Sequence, residues 1–229
     1  MEAYGGVLGD RLVGLAAHGS AVTGYIAGFS DFDFVLVVRD FISPSDAAAL
    51  HAALAVACPD STPFTYLQLS AVVDIADSSR RRHGLIESAH AVLAGALPSD
   101  WEFNSEEDLR AAGRERLKAL PGLVRIDSLD WAADTGAQRA RRIRVMMTRL
   151  KPAVRAILVN GGVDVMEAWT ADWYGLAKAL TALDADRGLR MSAILSRLPS
   201  PPADEMEVGA IVLAFLGDLA GEYGRQDPS

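Results

Sequence analysis

Cysteine is almost missing from this chain: Cys58 is the only one among 229 residues. A single thiol excludes an internal disulfide and fits a reducing compartment. With no histidine or aspartate pattern around it, Cys58 reads as a small buried apolar residue. A basic excess is missing too. The formal charge is -8 and the pI is near 5.0, so no cationic surplus offsets a nucleic-acid backbone, which argues against a dedicated nucleic-acid binder. Local basic clusters at Arg80-Arg81-Arg82 and from Arg139 to Arg144 still leave room for one anionic substrate. No apolar run reaches the roughly 18 residues a membrane span needs. No basic segment precedes an apolar one at the N-terminus, so a cytoplasmic location without membrane contact is expected. Internal repeats are absent as well.

What is present is a globular composition, 50% hydrophobic and 23% charged, enough to bury one or two cores. Residues 2–10 suggest a short helix. Leu12 to Ala17 and Asp33 to Val38 read as strands, the second apolar on both faces and so central in a sheet. Ser43 and Pro44 open a helix that runs to Cys58 and stops at Pro59. Phe64 to Val73 alternates like a third strand. Beyond Arg82 the pattern turns helical. Helices are expected over His83–Gly95, over Ser105–Leu120 with a stop at Pro121, and over Ala137–Asn160, kinked or divided at Pro152. Further helices are expected over Val165–Leu183, Ser192–Leu198 and Asp204–Tyr223. These readings divide the chain into an α/β part, a small mixed sheet flanked by helices over residues 1–104, and an all-α helical bundle over residues 105–229. The seam is a composition shift rather than a flexible linker, so tight packing and a ligand cleft between the parts are expected.

The densest chemistry lies between Leu15 and Val38. Gly19-Ser20 forms a turn, and ten residues later Asp31-Phe32-Asp33 opens an apolar run. Carboxylates at i and i+2 on a strand share a face about 7 Å apart. That proximity is unfavourable unless a cation or a shared proton intervenes. A small turn nearby offers backbone N–H groups to anionic oxygen. These are parts of a site for a magnesium-bound nucleoside triphosphate.

The order His18-Gly19-Ser20, ten residues ending in Ser30, then Asp31-Phe32-Asp33 and an apolar strand resembles the signature of the DNA polymerase β-like nucleotidyltransferase superfamily. Within it the layout is similar to the small-molecule adenylyltransferases of the aminoglycoside (streptomycin/spectinomycin) group. The segment His90–Gly95 resembles the helix that ends before that family's domain boundary, and Arg155–Trp173 resembles a stretch of its helical domain. The resemblance implies that Gly19 and Ser20 hold the β- and γ-phosphates. It implies that Asp31 and Asp33 are catalytic and bind metal, two Mg²⁺ ions being expected, and that Ser30 braces the loop. ATP or another nucleoside triphosphate would be co-substrate, and a hydroxyl of a small molecule, an aminoglycoside-like antibiotic among the candidates, would attack the α-phosphorus and release pyrophosphate. One departure stands out. The family places a third carboxylate on the next strand, whereas Phe64–Ser70 contains no acid and Asp74 lies at the far end.

Other residues carry two readings each. Lys151 and Arg155, one helical turn apart, share a face that would close over phosphates or be solvated. Arg80 to Arg82 would reach a triphosphate or line a solvated loop. Trp169, Trp173 and Tyr174 would stack on a ligand or fill the core. Glu167, Asp172 and Asp184 would receive a cationic acceptor or be soluble helix faces. His18 would line the site or make a structural hydrogen bond, and His51 and His90 show no metal spacing. Two rival functions fit the missing acid. One is a nucleotide-binding or antitoxin-like module without turnover. The other is an enzyme that nucleotidylates a protein.

Overall fold

The computed structural model describes residues 2–24, 33–40, 42–57, 67–71, 85–99, 101–198 and 205–223. The chain divides into two compact units, Met1–Ser105 and Glu106–Ser229. The first is α/β and the second all-α. No helix among the described residues is long and apolar enough to cross a membrane.

The first unit is built on a four-stranded mixed sheet. Its strands are β1 (Leu12–His18), β2 (Asp33–Val38), β3 (Leu67–Ala71) and β4 (Ala91–Gly95), in the order β3-β2-β1-β4. β1 runs antiparallel to β2 and β4, and β2 runs parallel to β3. Val35 to Val38 are fully buried, as a strand with neighbours on both sides requires. Alternation sorts their side chains onto two faces. Leu36 and Val38, with Leu15, pack against Tyr4 and Leu8 of α1 (Glu2–Leu8) and Leu50 of α3 (Pro44–Ala57). Val35 and Val37 pack on the opposite face with Leu85, Leu97, Trp101 and Phe103. Asp33 therefore belongs to that second face, away from α1 and α3.

The start of α3 follows the expected cap. The Asp46 N–H donates to Ser43 Oγ at 3.1 Å, and the Ser43 N–H donates back to Asp46 Oδ2 at 2.9 Å, a reciprocal box with proline at the first helical position. Those bonds from Ser43, with the Arg11 guanidinium at 3.2 Å, hold the Asp46 carboxyl below its usual range.

The helix expected over His83–Gly95 is not there. Within its described part, Glu87–Ala89 makes a single 3-10 turn and Ala91–Gly95 is β4, paired with β1. Alanine and leucine are strong helix formers, but tertiary context overrides propensity: the second edge of β1, whose residues Leu15 to Ala17 are buried, takes this segment as its partner. The family helix to which His90–Gly95 was likened is therefore a strand in this chain.

The second unit consists of α4 (Glu106–Ala133), α5 (Ala137–Asn160), α6 (Val165–Thr170), α7 (Trp173–Leu183), α8 (Ala185–Arg197) and α9 (Glu205–Tyr223). Its buried side chains include Leu120, Met146, Leu150, Leu158, Leu176, Leu180, Phe215 and Leu216. Three helix boundaries differ from the expected ones. First, α4 does not stop at Pro121 but continues to Ala133. Proline removes one backbone bond, while the second half is pinned from α5: Arg149 donates to the Leu123 carbonyl at 2.9 Å and to Asp127 Oδ2 at 2.6 Å. Second, Val165–Leu183 is two helices, because Ala171 is extended and Asp172 accepts the Gly175 N–H at 2.6 Å to start α7. Third, α8 begins seven residues before Ser192, at Ala185, capped by Asp184 through the Arg187 N–H. In α5, Pro152 lies inside one undivided helix.

Asp127 is the one fully buried charged residue among those described. Beside Arg149, its other oxygen lies 3.8 Å from Arg142, which also reaches Asp130 at 2.7 Å and Asp134 at 2.8 Å. Burial raises the Asp127 carboxyl above its usual range against the pull of the two guanidinium groups.

Candidate active site

The site is assembled where β1 ends. Gly19 follows His18 with φ 61° and ψ -141°, a conformation that residues with a Cβ avoid. Its carbonyl accepts the Val22 N–H at 3.1 Å, the Thr23 N–H at 2.9 Å and the Thr23 hydroxyl at 2.9 Å. One helical turn, α2 (Ser20–Thr23), results, and Gly24 leaves it at φ 131°. Antiparallel register then sets Asp33 directly opposite His18, so their side chains share a sheet face.

The consequence is a close approach between carboxylate and turn. A Cβ placed on Gly19 would collide with Asp33 Oδ2 and sit 3.3 Å from its Cγ. Position 19 thus needs glycine twice, for its dihedrals and for the carboxylate lying against its α-carbon. Electrostatically the pairing is informative. Turn amides attract anionic oxygen, but an anion drawn there meets the Asp33 carboxylate, and the two coexist when a cation lies between them. Hard carboxylate oxygen suits Mg²⁺. His18, Gly19, Ser20 and Asp33 are all half-buried.

Ser30 and Asp31 lie outside the described residues, as do Cys58, Phe64 to Tyr66, Asp74 and Arg80 to Arg82. Among the described residues no group of three His, Cys, Asp or Glu side chains converges as a metal site. β3 contributes no acid over Leu67–Ala71.

Lys151 and Arg155 belong to the other unit, on α5. Each cation lies over an indole: Lys151 Nζ is 5.3 Å from the Trp173 ring centre, and the Arg155 guanidinium is 5.3 Å from that of Trp169. Trp173 is buried, whereas Tyr174 is 58% exposed. Both residue pairs are four apart in sequence, and that shared interval was the signal that could have matched them. Arg155 donates from Nη2 to the Ala171 carbonyl at 3.5 Å, while its buried Nε has no hydrogen-bond partner. No carboxylate pairs with it among the described residues. Burial lowers its pKa to about 10.

The acids considered for a cationic acceptor are differently employed. Asp172 and Asp184 cap α7 and α8, and Glu167 is an exposed residue of α6. His90 bonds the Ile86 carbonyl through Nδ1 at 3.1 Å and stacks on Phe103. His51 is exposed on α3.

No protein-family model matches this chain, and no curated protein matches it. Among solved structures it is similar to spectinomycin adenyltransferase AAD(9) from Enterococcus faecialis, solved with ATP and spectinomycin. The identity is 12%, over 98% of this chain and 95% of that one, with a TM-score of 0.48. Likeness at that level assigns neither activity nor site residues to this chain.

Proposed function

We propose that the chain is a nucleotidyltransferase that moves a nucleoside monophosphate, AMP in the first instance, from a magnesium-bound triphosphate to a hydroxyl of a small molecule. The observation that carries this reading is the Asp33 carboxylate lying against Gly19 of the turn that follows β1. Its sequence support is the spacing of Gly19-Ser20 to Asp31 and Asp33.

In this reading the Gly19-Ser20 turn orients the β- and γ-phosphates, and Ser30 braces the segment that carries Asp31. Asp31 and Asp33 would hold the Mg²⁺ ions. When bound, the metal supplies charge neutralisation on the entering and leaving oxygens. The acceptor hydroxyl attacks the α-phosphorus in line, the bond from that phosphorus to the bridging oxygen breaks, and pyrophosphate leaves. Most of the rate then comes from positioning and electrostatics.

A pyrophosphate-release screen of the purified chain tests the reading, pairing each nucleoside triphosphate and Mg²⁺ with aminoglycosides and other polyols. Release with at least one pair is expected. The acid-free stretch of β3 favours one alternative, a binding module. There Mg·ATP stabilises the protein and no acceptor yields pyrophosphate. Label transferred from ATP to a polypeptide alone would instead assign protein nucleotidylation.

A further inference from the structure

Among the described residues, few donor side chains flank Asp33. On one side β3 contributes no acid over Leu67–Ala71. On the other side stands β1. Its residues Gly14, Ala16 and His18 pair with Val37, Val35 and Asp33, and of these three His18 alone carries a donor atom. The pairing is direct, so the Cβ atoms of His18 and Asp33 are about 4.5–5.5 Å apart on one sheet face. Both residues are half-buried. Gly19, against which the Asp33 carboxylate lies, is the next residue after His18. An imidazole, a carboxylate and the turn therefore meet at the end of β1.

The other described histidines are placed elsewhere. His90 is engaged by the Ile86 carbonyl and the Phe103 ring. His51 lies on α3, which packs against the opposite face of the sheet. Ligand chemistry then distinguishes between cations. Mg²⁺ takes oxygen donors in near-ideal octahedral geometry. Imidazole nitrogen suits first-row transition ions, and carboxylate oxygen suits Mn²⁺ as well as Mg²⁺. A ring nitrogen beside a carboxylate shifts the preference away from Mg²⁺.

We propose that His18 is a nitrogen ligand of the cation that Asp33 holds, and that the site prefers a first-row transition-metal dication, Mn²⁺ in the first instance, to Mg²⁺. The inference rests on the nucleotidyl-transfer reading and names the metal of that site. Triphosphate oxygens and water would complete the coordination.

Pulsed electron paramagnetic resonance of Mn²⁺ with the full chain and inorganic tripolyphosphate reads the ligand directly, since that probe contains no nitrogen. The wild type should show the nitrogen coupling of a bound imidazole. His18→Phe, which keeps a ring and loses its donors, should not. Calorimetric titration of ATP in Mn²⁺ and in Mg²⁺ reads the preference. Loss of a ligand should cost at least as much as loss of an outer-shell partner, roughly tenfold with Mn²⁺, and less with Mg²⁺. Absence of imidazole coupling in the wild type, a coupling that persists in His18→Phe, or equal weakening with both cations overturns the proposal. Should His18→Phe fail to fold, the wild-type spectrum decides alone. If neither cation promotes ATP binding to the wild type, the nucleotidyl-transfer reading falls together with this one. ATP binding promoted by both cations without imidazole coupling sinks this inference only.

Discussion

Two charges are withdrawn from water in the helical unit and are treated in opposite ways. Asp127 is enclosed by Arg149 and Arg142, which in turn hold Asp130 and Asp134. Arg155 has an indole face and one long bond to a carbonyl, and its pKa falls to about 10. The same fold that surrounds one buried charge with partners leaves the other with none of opposite sign among the described residues. The first arrangement ties α4 to α5 across Pro121 and is architectural. The second leaves the guanidinium to an indole face and one carbonyl.

The largest expected effect comes from unbalancing the first charge. Asp127→Ala leaves the Arg149 guanidinium without its carboxylate and should cost about 3–5 kcal/mol, read from urea unfolding of the helical unit. A loss below about 1 kcal/mol would erase the contrast. Next is Arg155→Met, which keeps the stem over Trp169 and removes the charge. It should raise stability by about 1–3 kcal/mol. The sign with pH is fixed by the lowered pKa. Below about pH 10 the folded chain holds the guanidinium charged at full cost, and the cost is relieved as pH rises beyond about 10. The advantage of Arg155→Met should therefore be full at pH 8 and smaller at pH 11.

Gly19→Ala sharpens the contrast from the other unit. A Cβ there strains a positive φ and strikes Asp33, so about 1–2 kcal/mol of stability should be lost. Pyrophosphate release should disappear with it, since the carboxylate must move. The smallest effect belongs to the cap of α3. Asp46 titrates below its usual range chiefly through Ser43, so its contribution is present above the ordinary carboxylate range and fades as pH falls through the lowered value. Ser43→Ala should flatten that acid-side slope in thermal melts between pH 5 and pH 2, a range set by the ordinary aspartate value of about 3.9.

Which features were legible follows from how local their causes are. β1, β2 and the start of α3 are written in alternation, apolar runs and a capping box, all within a few residues. Gly19 and Asp33 were singled out by spacing, and the structure adds why residue 19 has no side chain. β4 was misread because Ala91–Gly95 has no alternation of its own, and its strand state comes from pairing with β1 some 75 residues earlier in the chain. The break at Ala171 and Asp172 was hidden by apolar spacing that continues through it. The run of α4 past Pro121 depends on Arg149, a contact 26 residues away. The stacking of Lys151 and Arg155 on two indoles was likewise beyond local reading, although the matching intervals hinted at it.

The central claim is that the carboxylate against Gly19 holds a polyphosphate through a divalent cation. Calorimetric titration of ATP into the wild-type chain and into Asp33→Asn, each with and without Mg²⁺, tests this without knowledge of the acceptor. The account predicts that wild type binds ATP tightly only with Mg²⁺ and that Asp33→Asn loses this dependence. Equal ATP affinity with and without the metal in wild type, or undiminished Mg·ATP binding by Asp33→Asn, would contradict it.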